Sequence, residues 1–156
     1  MKILLADDDQ KVYSALRLVL ELEPNAVVVG QAADTAQLLE AVRQDCPDLL
    51  LLDWELPGFD AQAQEILRTL RASCLDLRVI LLSGCAKTVQ EALEIGADAF
   101  IRKTDPPEDL LNLVSQFHRS MYGPSFFPST SHLASLACTP GGFFARSQPK
   151  FAIITE

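Results

Sequence analysis

Asp7, Asp8, Asp53, Ser83 and Lys103 come from four separated stretches of the chain, and each falls at the carboxyl end of a strand-like run. Three carboxylates brought close together repel one another, and the crowding is costly unless a cation sits among them. Oxygen-only ligands select a hard ion, Mg²⁺ in preference to zinc. Mg²⁺ keeps some of its waters, so two carboxylates and a backbone carbonyl are a sufficient protein contribution. A carboxylate is also a nucleophile towards phosphorus, giving an aspartyl phosphate. The oxygens of a transferring phosphoryl group then need positive charge and hydrogen-bond donors. Lys103 and the Ser83 hydroxyl can supply these, and Gly84, lacking a side chain, is expected to leave room for the group. Taken alone, Asp53 reads as a solvated acid at the end of a strand. In this company it reads as a site residue. Asp9 is the residue of the acidic triplet expected to cap the following helix.

The elements that must position these groups follow from hydrophobic period. Leu49-Leu50-Leu51-Leu52 runs without a polar break into Asp53, with Pro57-Gly58 behind it. Such a short continuous run, bounded by a turn, reads as a strand buried on both faces. Lys2–Ala6, Ala26–Gly30, Leu77–Leu82 and Asp98–Arg102 are the other strand-like segments. Between them lie helical patterns: Val12 to Leu20; Asp34 to Val42, with Asp34 as N-cap and Gln37 in capping-box position; Ala61–Ser73; and Lys87–Ile95, stopped by Gly96. A last helix opens at Pro106 or Pro107 and runs to about Ser120. Strands alternating with helices predict a parallel sheet covered on both faces. Open sheets of this kind bind ligands at the carboxyl ends of their strands, where the five polar residues fall.

Bulk properties narrow the possibilities. Residues 1–120 carry 20 acids against 11 Lys or Arg, a balance of −9, within a chain of net charge −8. Phosphate backbones need positive charge, so nucleic-acid binding by this chain is not expected. The sequence has no apolar run long enough for a membrane span and opens on a strand-like segment in place of a signal peptide. Cys46, Cys74, Cys85 and Cys138 form no C-x-x-C pair, which argues against a disulfide framework or a zinc site and fits a reducing cytoplasm. Cys85 reads as a small buried residue, and His118 and His132 as surface residues. Residues 121–156 have no helical period. They are expected to be disordered or loosely docked, although their phenylalanines favour docking and Phe151–Thr155 could form a short strand.

Residues 1–120 resemble the receiver domain of two-component response regulators. The likeness is carried by Leu5-Ala6-Asp7-Asp8, Asp53 with Leu56-Pro57-Gly58, Leu82-Ser83-Gly84, and Ala97-Asp98-Ala99-Phe100-Ile101-Arg102-Lys103. The segment from Lys103 to Leu111 is similar to receivers of LuxR/NarL-type transcription regulators. Each motif is weak alone; in order and at these spacings they are specific. The resemblance implies a flavodoxin-like (βα)5 fold with strand order 2-1-3-4-5. It implies that Asp53 accepts a phosphoryl group from a sensor histidine kinase or phosphotransfer protein. Asp8, Asp53 and the Glu55 backbone carbonyl would bind Mg²⁺, with Asp7 acting through water. Lys103, Ser83 and Gly84 would contact the phosphoryl group. Ser83 and Phe100 would form the switch, with Phe100 also readable as a core residue. Thr104 stands where many relatives have Pro, and the bond before it is often cis in the family, a form costing about 3 kcal/mol without proline.

No helix-turn-helix pattern follows residue 120, so the expectation is a stand-alone or truncated receiver working through protein contacts, a homodimer among them. The same residues admit two other readings. A Mg²⁺-dependent aspartyl phosphohydrolase would use Asp53 with Glu55, although Pro57 departs from that pattern. A pseudo-receiver would bind partners without phosphorylation, although every acceptor residue is present.

Overall fold

A computed structural model describes residues 1–85 and 87–123. The expectations for Cys138, His132 and the Phe151–Thr155 strand lie outside the described residues. In chain order the elements are β1 (Lys2–Ala6), α1 (Gln10–Leu20), β2 (Val27–Ala32), α2 (Thr35–Gln44), β3 (Leu49–Asp53), α3 (Ala63–Ser73), β4 (Arg78–Ser83), α4 (Val89–Glu94), β5 (Ala99–Arg102) and α5 (Pro107–Tyr122). The strands form one sheet in the order β2-β1-β3-β4-β5, every pairing parallel. This is the flavodoxin-like (βα)5 arrangement.

The leucine run is explained by its place in the sheet. Successive side chains of a strand point to opposite faces, and β3 is central. Leu50 and Leu52 pack with Leu38, Val42, Leu67 and Leu70 of α2 and α3. Leu49 and Leu51 pack on the other face with Leu20 of α1 and with Leu110, Leu113 and Val114 of α5. All four leucines are no more than 1% exposed, each contributing about 1.5–3 kcal/mol of burial. No face is left on which a polar residue would be tolerated until the strand ends at Asp53.

Helix starts follow local chemistry. Asp9 caps α1, its side chain accepting from the Lys11 N–H. Asp34 caps α2 and accepts from the Gln37 N–H, while the Gln37 amide returns to the Ala33 N–H instead of to that of Asp34. The complete reciprocal capping box is instead at α4, between Thr88 and Glu91. The helix expected from Ala61 is split: a 3₁₀ turn, Asp60–Gln62, precedes α3. Phe59, fully buried, and the bond from Trp54 Nε1 to Asp60 (2.7 Å) pin that turn to the core and delay the helix.

Two expectations about cysteine are corrected. Cys46 and Cys74 are paired as a disulfide, with Cα atoms 5.8 Å apart. They follow α2 and α3, two helices packed side by side on one face, so a sequence separation of 28 became a spatial contact without any local motif. Cys85 is exposed, not buried. Among the described residues no peptide bond is cis, so Lys103–Thr104 is trans.

Candidate functional site

The parallel register brings the strand ends level. Ala6 is opposite Leu52, Asp53 opposite Leu82, and Ser83 opposite Arg102. Backbone bonds extend the ladders past the strands: Asp7 N–H to Ala32 O (3.0 Å), Trp54 N–H to Leu82 O (2.7 Å) and Lys103 N–H to Ser83 O (2.8 Å). Asp7, Asp53, Ser83 and Lys103 are therefore set by the main chain.

One carboxylate oxygen each from Asp7, Asp8 and Asp53 lie within 4.8 Å of one another. Asp7 and Asp53 are buried and Asp8 is exposed. Lys103 Nζ lies 2.8 Å from Asp7 Oδ2 and 2.9 Å from Asp53 Oδ2. Asp7 Oδ1 accepts from the Asp9 N–H. Asp7 Oδ2 is paired electrostatically with Lys103 but accepts no hydrogen bond of good geometry. Three carboxylates, one carrying a buried oxygen without a hydrogen bond, are a donor set that fits a hard divalent ion.

The charges are strongly perturbed. Burial pushes the Asp53 carboxyl up to about 6, against the pull of Lys103, with Glu55 and Asp7 adding to the rise. Burial works against the charge of Lys103, but the carboxylates of Asp7 and Asp53 more than offset it and raise its pKa. Perturbation of this kind, caused by burial and named charge partners, is typical of functional sites.

The receiver resemblance gives Glu55 a role through its backbone carbonyl, and the phosphohydrolase reading pairs its carboxylate with Asp53; neither places it on Ser83 and Gly84. The Glu55 side chain is at the centre of the site's second half. Glu55 Oε1 accepts from the Ser83 hydroxyl at 2.5 Å, and Oε2 accepts from the Gly84 N–H at 3.2 Å. Burial opposes its charge, yet Ser83, Asp53, Gly84 and Cys85 together bring its carboxyl down to about 2. The same carboxylate raises the pKa of the Cys85 thiol, the opposite of what activates a thiol. The signal that could have found Glu55 was register: β3 and β4 run parallel in step, so residues just past Asp53 meet residues just past Leu82.

Gly84 was expected to make room. A Cβ there would meet only Lys103 Cδ, at 3.9 Å, an ordinary contact, so the contribution of this residue is its N–H. Phe100 lies within the core, edge-on to the buried Trp54 with ring centroids 6.3 Å apart. Trp54 also lies 4.9 Å beneath Lys87 Nζ. His118 is half-buried and stacks loosely on Tyr122.

The family model for the response regulator receiver domain matches residues 3–115, and the chain belongs to that family. Receiver domains are signalling modules of two-component systems. The chain is 34% identical over 116 residues to the nitrate/nitrite response regulator NarL of Escherichia coli, covering 73% of this chain and 53% of the relative. It is 37% identical over 113 residues to the DNA-binding response regulator MtrA of Mycolicibacterium paratuberculosis, covering 70% and 48%. It thus spans about half the length of these relatives. Among solved structures, the signal receiver domain of the putative response regulator NarL from Mycobacterium tuberculosis superposes with a TM-score of 0.65. The two share 29% identity, over 74% of this chain and 93% of that one. Among the described residues no helix is long and apolar enough to cross a membrane.

Proposed function

We propose that the chain is a phosphoacceptor switch, phosphorylated on Asp53 by the phosphohistidine of a sensor histidine kinase or phosphotransfer protein. The observation that carries this reading is the buried Asp53 carboxylate, set between two further acids and the Lys103 ammonium at the carboxyl edge of the sheet. One Asp53 oxygen attacks phosphorus, an O–P bond forms, the P–N bond breaks, and the electron pair leaves with the imidazole. Asp8, Asp53 and the Glu55 carbonyl would hold Mg²⁺, with Asp7 acting through water. When bound, that ion supplies charge neutralisation for the attacking and transferring oxygens. Lys103 balances the charge that accumulates on the phosphoryl oxygens, and the Ser83 hydroxyl and Gly84 N–H donate to them. Output passes through protein contacts on the α4–β5–α5 side, where Val89 and Leu93 are 42% and 41% exposed.

Acetyl phosphate and Mg²⁺ should add one phosphoryl group to the wild type, read by intact mass, and none to Asp53→Asn. A wild type that takes up no phosphoryl group sinks the reading. Steady turnover of a phosphate monoester, in place of a single stoichiometric transfer, would assign the site to a phosphohydrolase instead.

A further inference from the structure

The Ser83 hydroxyl and Gly84 N–H, the two donors that the proposed phosphoryl group requires, already hold an anion. Both oxygens of the Glu55 carboxylate are engaged, one on each donor. Ser83 Oγ also accepts from the Cys85 N–H at 3.1 Å, which occupies an acceptor direction of the hydroxyl and leaves its proton aimed at Glu55. A serine hydroxyl has one proton to give, and so has a backbone amide. Two anions cannot share this pair, and like charges brought together in a partly buried site repel.

We propose that Glu55 is an internal stand-in for the phosphoryl group: its carboxylate fills the Ser83–Gly84 donor pair in the resting protein and has to leave before a phosphoryl group on Asp53 is gripped. This rests on the phosphoacceptor reading above. Glu55 is therefore a positioning residue that sets how tightly the site takes a tetrahedral anion. Its own exposure gives it a route out, because the side chain can turn into solvent without disturbing the core. Expulsion also frees Ser83, so the step that grips the phosphoryl group is coupled to a rearrangement at the end of β4. Without Glu55, the same donors stand open before any ligand arrives.

Beryllofluoride with Mg²⁺ is the probe, followed by Trp54 fluorescence and by the ¹H–¹⁵N resonance of Gly84. Removing a charge-assisted competitor should lower the half-saturating beryllofluoride concentration about tenfold in Glu55→Ala. Glu55→Gln should fall in the same direction, since its amide nitrogen cannot accept from the Gly84 N–H. In both variants the resting Gly84 resonance should leave its wild-type position before any ligand is added. Equal or weaker beryllofluoride binding by a folded Glu55→Ala overturns the proposal, as does an unmoved Gly84 resonance. If the wild type takes neither beryllofluoride nor a phosphoryl group while Glu55→Ala takes both, the stand-in is stronger than supposed and the proposal holds. If no variant takes either, the phosphoacceptor reading fails, whereas the Gly84 resonance still decides whether Glu55 holds that donor.

Discussion

Lys103 sets one ammonium against two carboxylates that are 1% and 2% exposed. Removing one partner of a buried ion pair leaves an uncompensated charge, and the penalty exceeds the net worth of the intact pair. Asp53 can relieve part of it by taking a proton, since burial already raises its pKa to about 6. Lys103→Met should therefore lower stability in the absence of divalent ions by about 2 kcal/mol. Added Mg²⁺ should restore more stability to the variant than to the wild type, because the ion then carries the whole neutralisation. Urea unfolding with and without Mg²⁺ reads both effects; a variant as stable as the wild type without metal would show that Lys103 is not what offsets the acids. At this scale Asp7, Asp53, Ser83 and Lys103 were legible because each stands at the carboxyl end of a strand. The donors of Glu55 were not, because a loop acid shows which donors it will meet only once the register of β3 against β4 is known.

The loop from Asp53 to α3 is the element on which the site depends most. Gly58 has φ of +85°, and a Cβ there would come within 2.5 Å of Thr35 Oγ1. Thr35, at the first turn of α2, donates its backbone N–H to Pro57 O at 3.2 Å and its hydroxyl to the same oxygen at 3.3 Å. The turn that carries Glu55 and Leu56 is thus tied to α2 through a contact that only glycine admits. Gly58→Ala should cost about 1–3 kcal/mol, combining a left-handed backbone with a steric overlap. It should also weaken Mg²⁺ binding by shifting the Glu55 carbonyl. Thermal unfolding and a Mg²⁺ titration by Trp54 fluorescence check the two parts. A variant that melts with the wild type would mean that Thr35 gives way freely. Pro57-Gly58 was readable as a turn from sequence. The partner that makes the glycine obligatory lies 23 positions earlier and was not.

Across the whole molecule, the Cys46–Cys74 disulfide ties the loop before β3 to the loop before β4, at the edge of the sheet opposite the acidic cluster. Closing a loop of this length restricts the unfolded chain and is worth about 3.6 kcal/mol in the chain-entropy account. A thiol reductant should lower the urea midpoint of the wild type and leave that of Cys46→Ser unchanged. A reductant-insensitive wild type would show that the two thiols are unpaired in solution. Because the bridge lies far from Asp53, beryllofluoride binding should be the same in both redox forms.

The parallel sheet covered on both faces and the two-faced burial of β3 were determined by the sequence pattern alone, whereas the strand order 2-1-3-4-5 was implied by the receiver resemblance and is the order observed. Short apolar runs alternating with amphipathic helices admit few arrangements, and a leucine run without a polar break has to be central. The chemical character of the site was determined there too, since acids and a lysine at strand ends converge whenever the strands are parallel and in register. Only the tertiary structure decided which donors each acid meets, and it set the Glu55 side chain on Ser83 and Gly84. It also decided the pairing of Cys46 with Cys74 and the close approach of Thr35 to Gly58. These contacts join loops whose separations in the chain have no period. Their geometry is set by how helices seat on the sheet, a property of the packed whole that no local pattern encodes.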